Sequence, residues 1–123
     1  MSIHHAAPNE IIKLPLGVAL SGSKTATVVK TANLELIRFV IHAGKEIPLH
    51  KASNEITVQC MEGRVAFTAE GTTHELTAWQ LLYLAAGVPH SLTGIEDSSL
   101  LVTLLLSKSK TAQPFDEGQE VSE

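Results

Sequence analysis

Short apolar runs at regular intervals are the feature that most constrains the fold of this chain. From Lys24 onward these runs are rich in Val, Ile, Leu and Thr, and they recur about every eight to twelve residues with turn residues between them. No convincing helical period interrupts them. This spacing is typical of an all-β sandwich or barrel, whereas an α/β sheet would alternate strands with helical stretches. We therefore predict an all-β fold.

The predicted strands are separated by turn signals. In chain order they read TATVVKT, LELIRFVIH, EITVQCM, RVAFTAE, TTHELTA, QLLYL, HSLTG and SSLLVTLLL. AGKEIP and AAGVPH are interpreted as breaks, and Glu62-Gly63 is predicted to form a tight hairpin turn. LLVTLLL is the longest apolar run. Because a membrane span takes roughly 20 residues, this run predicts a fully buried strand instead.

Length and composition fit a single folded domain. The chain has 123 residues, of which 44% are hydrophobic, so it holds enough apolar surface for one core and too little length for two. We predict an N-terminal arm over residues 1–22 that packs on the barrel or on a partner subunit. A barrel is predicted over 23–107 and a flexible polar tail over 108–123, where Lys, Ser, Gln, Asp, Glu and Pro predominate.

Charge and cysteine content indicate which partners are not expected and in which compartment the protein is expected. The formal net charge is −4, and Lys and Arg form no cluster, so nucleic acid and anionic membranes are not expected as partners. Cys60 is the only cysteine, so no internal disulfide is possible. The start of the chain lacks the basic and apolar regions of a secretory signal. These features predict a cytoplasmic protein.

Two segments carry a spaced pattern of glycine and histidine. In the first, five residues separate Gly44 from His50, and Gly63 closes the segment. In the second, WQLLYLAAGVPHSLTG, Gly87 precedes His90 by three positions. Together they resemble the paired motifs of the cupin superfamily, and the resemblance covers roughly residues 34–106. It implies a small double-sheeted β-barrel, known as the double-stranded β-helix or jelly roll.

The resemblance also implies where a metal site would lie. In cupins a His-x-His pair, a Glu and a third His hold a divalent ion such as Fe, Mn, Ni, Cu or Zn. Both imidazoles of a His-x-His pair point to one face because side chains alternate along a strand. Here His50 and His90 occupy the first and the last of these four positions. The resemblance therefore leaves open a divalent transition metal held by these two residues, or no metal.

Residues that cannot bind a metal fill the other two positions. Ala52 replaces the second histidine, and Ile56 stands where the carboxylate would be. Glu55 is next to that position, but a shift of one residue turns a side chain to the opposite face of a strand. The second motif also departs from the family pattern, with Trp79, Ala85 and Gly94 in place of its Gly, Pro and Asn.

Strand alternation predicts which side chains line the barrel. The predicted ligand pocket comprises His50, Ile56, Val58, Cys60 and His90. His74 shares the parity of Leu76 and is a weaker candidate for an inward-facing metal ligand, although a surface position is favoured. His42 and Glu46 precede the first motif and are candidates for the rim. For Cys60, packing as a small hydrophobe is favoured over a redox or ligand role.

Three functions agree with these features. The favoured one is a barrel that binds a small organic molecule, with weak or no metal binding through His50 and His90. The alternative is a metal-dependent oxygenase or isomerase with a non-standard ligand set. The third is metal-free acid–base catalysis by one of the two histidines. Short edge strands and the apolar run IIKLPLGVAL need cover, and compact cupins commonly pair, so we expect a homodimer.

Overall fold

Every regular element in the described part of the chain is a β-strand. The computed structural model describes residues 5–14 and 24–106. Within them lie nine strands: β1 (Ala26–Lys30), β2 (Leu34–Ile41), β3 (Glu46–His50), β4 (Ile56–Glu62), β5 (Arg64–Ala69), β6 (Thr72–Thr77), β7 (Leu81–Leu84), β8 (His90–Gly94) and β9 (Ser98–Leu105). The all-β prediction is confirmed.

The strands form two antiparallel sheets that face each other. One sheet has the order β1-β2-β9-β4-β7, and the other has the order β3-β8-β5-β6. Neighbouring strands in each sheet are mostly distant in sequence, as in a jelly roll. The core lies between the sheets and includes side chains from both, such as Val58 and Leu100 from the first and Val65 and Phe67 from the second.

Strand alternation decides which side chains of β4 enter the core. Ile56, Val58 and Cys60 are buried, whereas Thr57 and Gln59 between them are only half-buried. This burial matches the apolar face predicted from the sequence. The opposite face of β4 is an outer surface, where Thr57 pairs with residues of both β7 and β9. The period of two in the sequence therefore fixed the orientation of this strand.

One predicted break is a strand. Residues 46–50 form β3, at the edge of the four-stranded sheet, whereas the pattern AGKEIP predicts a break. Pro48 lies inside this strand and lacks an N–H group, which would disrupt a central strand but is tolerated on an edge. The interpretation was wrong because a proline in the sequence is compatible with a loop and also with an edge strand, and the local pattern does not distinguish the two.

The predicted hairpin at Glu62-Gly63 is also wrong. β4 and β5 flank Gly63 but belong to different sheets, so the chain turns a corner between the sheets there. The tight hairpin lies instead between β5 and β6, where Ala69 pairs with Thr72 across two residues. Those residues, Glu70 and Gly71, both have positive φ (53° and 77°), as a type I′ turn requires.

The last strand is less buried than its composition predicts. β9 lies in the middle of the five-stranded sheet, between β2 and β4. Leu100 is 1% exposed, but residues 101–104 are half-buried and Leu105 is 44% exposed. The prediction of a fully buried strand was wrong because the outer face of this sheet is uncovered in the described structure, and because Val102 and Leu104 on the inner face border an internal cavity.

Part of the predicted N-terminal arm contacts the barrel. The Ala6 backbone N–H donates a hydrogen bond to the Val28 carbonyl oxygen on β1 (2.8 Å). The rest of the arm (1–4 and 15–22) and the predicted tail (108–123) lie outside the described residues. In the two described stretches no helix is long and apolar enough to cross a membrane.

Candidate functional site

A cavity of about 210 Å³ lies between the two sheets, inside the barrel. Twelve of the described side chains line it, of which ten are hydrocarbon and two are histidines. The apolar ones are Ile37, Phe39, Ile47, Ile56, Val58, Phe67, Leu92, Leu100, Val102 and Leu104. The histidines are His50 and His90. An apolar concave site with a few convergent polar groups is typical of small-molecule binding sites.

A bulge in β3 turns His50 toward the cavity. Ile47 pairs with Leu92 and His50 pairs with His90. Between these two pairs β3 has two residues and β8 has one, so β3 contains one extra residue. In a regular strand the residues two and four after Ile47 would share its face. The extra residue shifts this alternation, so that Leu49 is 70% exposed and His50 lines the cavity. His50 is itself exposed, which places it where the cavity meets solvent.

His90 is the buried member of the pair. It begins β8, where it pairs with His50 on one side and with Ala69 on the other. Its side chain is 4% exposed and stacks on the ring of Phe67, with ring centroids 5.4 Å apart and an interplanar angle of 14°. The apolar neighbours and the stacking hold this imidazole in one orientation.

Local hydrogen bonds fix the protonated nitrogen of both imidazoles. Nδ1 of His50 lies 2.9 Å from the Pro48 carbonyl oxygen, and Nδ1 of His90 lies 2.9 Å from the Val88 carbonyl oxygen. A carbonyl oxygen can only accept a hydrogen bond, so each Nδ1 carries the proton. In the neutral ring Nε2 is then an acceptor without a hydrogen. The site therefore presents two imidazoles whose free nitrogen is Nε2.

The two rings contact each other directly. Their centroids lie 4.2 Å apart with an interplanar angle of 63°, an edge-to-face arrangement. Burial lowers the pKa of His90 because the charged ring loses water, and the nearby His50 lowers it further. The hydrogen bond to the Val88 carbonyl opposes these two effects, and the pKa remains below its ordinary value. His90 is therefore neutral at neutral pH.

The residues in the barrel do not form the four-ligand metal site of the cupin motifs. Ala52 is partly buried against the core, Ile56 lines the cavity, and neither has a donor atom. Glu55 is exposed, and its carboxylate accepts a hydrogen bond from the Tyr83 hydroxyl on the outer surface. In the described part of the chain, no group of three or more His, Cys, Asp or Glu side chains is placed to hold a metal ion.

His74 does not join the two histidines. It lies on β6, which β5 separates from β8, so about 10 Å separates the two backbones. Its side chain is exposed and lines an open depression with Gln80 and Leu81. His74 lies on the same face of β6 as Leu76, as the alternation along a strand predicts. However, β6 is an edge strand, and at this position the ring of His74 is exposed to solvent.

Cys60 lies in the core and does not line the cavity, contrary to the predicted pocket. It is fully buried, and its Sγ lies 3.5 Å from the Glu62 carbonyl oxygen and 3.8 Å from that of Gly63. Burial raises the pKa of this thiol, so it is neutral and poorly reactive. Parity placed it on the inner face correctly, but it sits near the end of β4, beyond the cavity.

The rim candidates lie away from the histidine pair. His42 follows β2, and its Nδ1 lies 3.7 Å from a carboxylate oxygen of Asp97 in the loop before β9. Glu46 is exposed at the start of β3, where it pairs with Thr93. The pocket predicted from the sequence lacks most of the apolar lining, for example Phe67 and Leu92. The alternating apolar positions of β5, β8 and β9 carried that signal.

Comparison with solved structures identifies the fold. A conserved protein of unknown function from Streptococcus pyogenes has a TM-score of 0.67 at 20% identity, with 89% of this chain and 100% of that chain covered. A cupin superfamily protein from Desulfitobacterium hafniense has a TM-score of 0.69 at 13% identity, with 87% and 99% covered. The chain thus has the double-stranded β-helix fold of the cupin superfamily. No protein-family model matches the sequence, and no curated protein matches it.

Some proteins with this likeness are enzymes. A salicylate 1,2-dioxygenase from Pseudaminobacter salicylatoxidans has a TM-score of 0.59 at 19% identity, with 64% of this chain and 25% of that chain covered. Likeness at such low identity defines the fold, and one barrel hosts many activities. The function therefore has to be argued from the cavity and its two histidines.

Proposed function

We propose that this protein binds a small, mainly apolar organic molecule inside the barrel, with His50 and His90 as its polar contacts. The observation that carries the proposal is the cavity of about 210 Å³, whose lining is hydrocarbon apart from these two rings. A cavity of about 150 Å³ takes up benzene, so by proportion this one holds about eight non-hydrogen atoms. At about 0.7 kcal/mol per non-hydrogen atom, a value between the limits for the smallest and for drug-sized ligands, such a ligand binds with a Kd on the order of 0.1 mM.

Two measurements test this proposal. Untagged protein is extracted with organic solvent, and the extract is analysed by mass spectrometry for a co-purified molecule. The protein is then titrated with a panel of one-ring and branched C6–C8 compounds while backbone amide shifts are followed by NMR. We expect saturable shifts at lining residues. The proposal is contradicted if no molecule co-purifies and no compound gives a saturable titration.

A pair of substitutions on β9 supplies the matched control. Val102 lines the cavity, while its neighbour Thr103 points to the outer surface. Val102→Phe should fill part of the cavity and abolish binding of the panel compounds. Thr103→Phe adds an aromatic ring one residue away on the other face and should leave binding unchanged. Equal loss in both variants would mean that the compounds bind elsewhere.

A metal-dependent oxygenase or isomerase is the second candidate function. It is favoured by the adjacency of His50 and His90 and by their Nδ1–carbonyl hydrogen bonds, which commonly orient metal-binding histidines. Such a metal would take its remaining ligands from water or substrate. Stoichiometric metal in untagged protein that disappears in a His50→Ala/His90→Ala variant would support this candidate. Negligible metal, with no rise in Tm on adding metal ions, would reject it.

We also propose that the protein forms a homodimer in the cytoplasm. Trp79, Leu81, Tyr83 and Leu105, here called the β7 patch, are all at least 44% exposed. β7 is an edge strand, and Tyr83 and Leu105 line one depression on the outer face of the five-stranded sheet. Antiparallel pairing of two β7 strands would cover both apolar patches symmetrically. The single buried thiol suits a reducing compartment.

Light scattering after size exclusion tests the dimer. Leu81→Lys places a charge in the β7 patch and should shift the protein to a monomer. Ile95→Lys alters another exposed apolar side chain, in the loop before β9, and should leave the dimer intact. A monomeric wild-type protein, or equal dissociation in both variants, would contradict this interface.

A further inference from the structure

The polar groups of the cavity are of one kind. Both histidines donate Nδ1–H to a backbone carbonyl, which leaves the two Nε2 atoms as the side-chain polar atoms free to meet a ligand. Among the residues that the structure describes, no backbone or side-chain group bonds either Nε2. Within residues 5–14 and 24–106, the lining contains no Lys, Arg, Ser, Thr, Tyr, Asn or Gln. When both rings are neutral, the described lining therefore offers hydrogen-bond acceptors and no side-chain donor.

Of the two acceptors, Nε2 of His90 has more binding free energy to gain from a ligand that donates a hydrogen bond. His90 is 4% exposed, whereas His50 lies at the mouth, where water reaches it. A buried acceptor without a donor loses the hydrogen bond that water gave it in the unfolded chain. Most buried polar atoms in proteins have a partner, so a ligand that brings a donor to Nε2 of His90 would gain binding free energy there.

Charge excludes other ligand classes. An anionic ligand such as a carboxylate would find no cation in the lining, and burying an unpaired anion is costly. At a pH where histidine is neutral, both Nε2 atoms would also direct their lone pairs at it. A pure hydrocarbon would fit the apolar walls but leave Nε2 of His90 without a donor. A cation would find no carboxylate in the described lining either, so the remaining class is an uncharged molecule with a donor at one end.

We propose that the barrel selects compact apolar molecules that carry one hydroxyl group, such as a one-ring phenol or a branched alcohol, and that the hydroxyl donates its hydrogen to Nε2 of His90. This inference deepens the proposed binding function and rests on it. The hydrocarbon body fills the space between the sheets, beside Phe39 and Phe67, while the hydroxyl lies at the histidine pair.

Phenol and toluene are the probes that separate hydroxyl recognition from cavity filling. They have the same shape and differ in a hydroxyl against a methyl group. Full-length untagged protein at about pH 8, where histidine is neutral, is titrated with each, and with benzoate as the anion control. We expect phenol to bind at least about ten-fold tighter than toluene and benzoate, the effect of one buried hydrogen bond.

His90→Leu is the decisive variant. It should reduce phenol affinity about ten-fold or more and leave toluene binding nearly unchanged, because the cavity keeps its size but loses the acceptor. Retained toluene binding also shows that the variant is folded. His50→Leu, at the solvent-exposed mouth, should have the smaller effect. If His90→Leu does not fold, the ¹⁵N shift of Nε2 of His90 in the wild type serves instead: it should move with phenol and not with toluene.

The outcomes distinguish the two proposals. If toluene binds as tightly as phenol, or if benzoate binds best, the hydroxyl inference is overturned while binding in the barrel stands. The inference also fails if phenol affinity drops in His50→Leu and not in His90→Leu. If none of the three probes binds at millimolar concentration and no panel compound does, the binding function itself is overturned.

Discussion

Gly63→Ala is expected to destabilise the protein by roughly 3–5 kcal/mol, far more than a typical glycine substitution in a turn. Gly63 lies at the corner between β4 and β5 with a φ of 91°. This left-handed conformation costs an L side chain about 1–2 kcal/mol. A Cβ there would lie 2.3 Å from Ser98 Oγ and 2.4 Å from the Asp97 carbonyl oxygen, inside van der Waals contact.

Moving Ser98 away from such a Cβ would cost free energy, because its side chain is buried and hydrogen-bonded. Its side chain is fully buried, and its hydroxyl accepts a hydrogen bond from the Arg64 N–H (2.8 Å) and donates one to the Glu96 carbonyl (2.7 Å). Each buried hydrogen bond contributes about 1 kcal/mol, and an unsatisfied group costs about 1–3 kcal/mol. Displacing Ser98 therefore adds about 2–3 kcal/mol to the backbone cost, which gives the total above.

Gly71→Ala is the matched control because it tests the backbone cost alone. Gly71 has a φ of 77°, and a Cβ there would meet no atom of the described residues within 4 Å. Its expected cost is about 1–2 kcal/mol. Urea unfolding followed by circular dichroism, with linear extrapolation, gives both values. The reasoning is refuted if the two variants lose the same free energy of unfolding, within about 0.5 kcal/mol, at equal m-values.

Two further predictions concern single residues. Trp79 has a φ of 71° at the position where the cupin motif has glycine. Trp79→Gly should therefore be more stable than Trp79→Ala by about 1 kcal/mol in urea unfolding. Equal stability of the two variants would contradict the argument from the backbone conformation. The pKa of His90 is lowered in the folded protein, so as the pH falls below about 6.5 the unfolded chain takes up a proton at this residue first. The free energy of unfolding should therefore be constant with respect to this group above about pH 6.5 and decrease below it. Unfolding between about pH 8 and pH 5 should show a weaker dependence in His90→Leu, and an unchanged dependence would refute this assignment.

The local rules of strands predicted most of the architecture. Alternation within EITVQCM correctly assigned Ile56 and Val58 to the inner face and Glu55 to the outside, because side-chain direction in a regular strand follows from the residue number alone. The spacing of apolar runs predicted the all-β class, and the glycine and histidine spacing predicted the cupin fold. Gly63, which closes the first motif, is the glycine that the corner between the sheets requires.

Errors arose where the outcome depends on distant parts of the chain. Whether Gly63 closes a hairpin or turns a corner depends on which strands β4 and β5 pair with, and those partners are far away in sequence. Whether Cys60 reaches the cavity depends on where along β4 the space lies, which the packing of both sheets decides.

The sequence by itself determined that two histidines remain from a four-ligand pattern, because Ala52 and Ile56 have no donor atoms. Only the tertiary structure decided what those histidines are. The bulge beside Pro48 turns His50 inward, and strand pairing brings it to His90. The Nδ1 hydrogen bonds then leave two acceptors in a hydrocarbon cavity. The physical reason is that bulges, pairing and ring orientation depend on contacts between strands, whereas a local sequence pattern specifies only the direction of side chains within one strand.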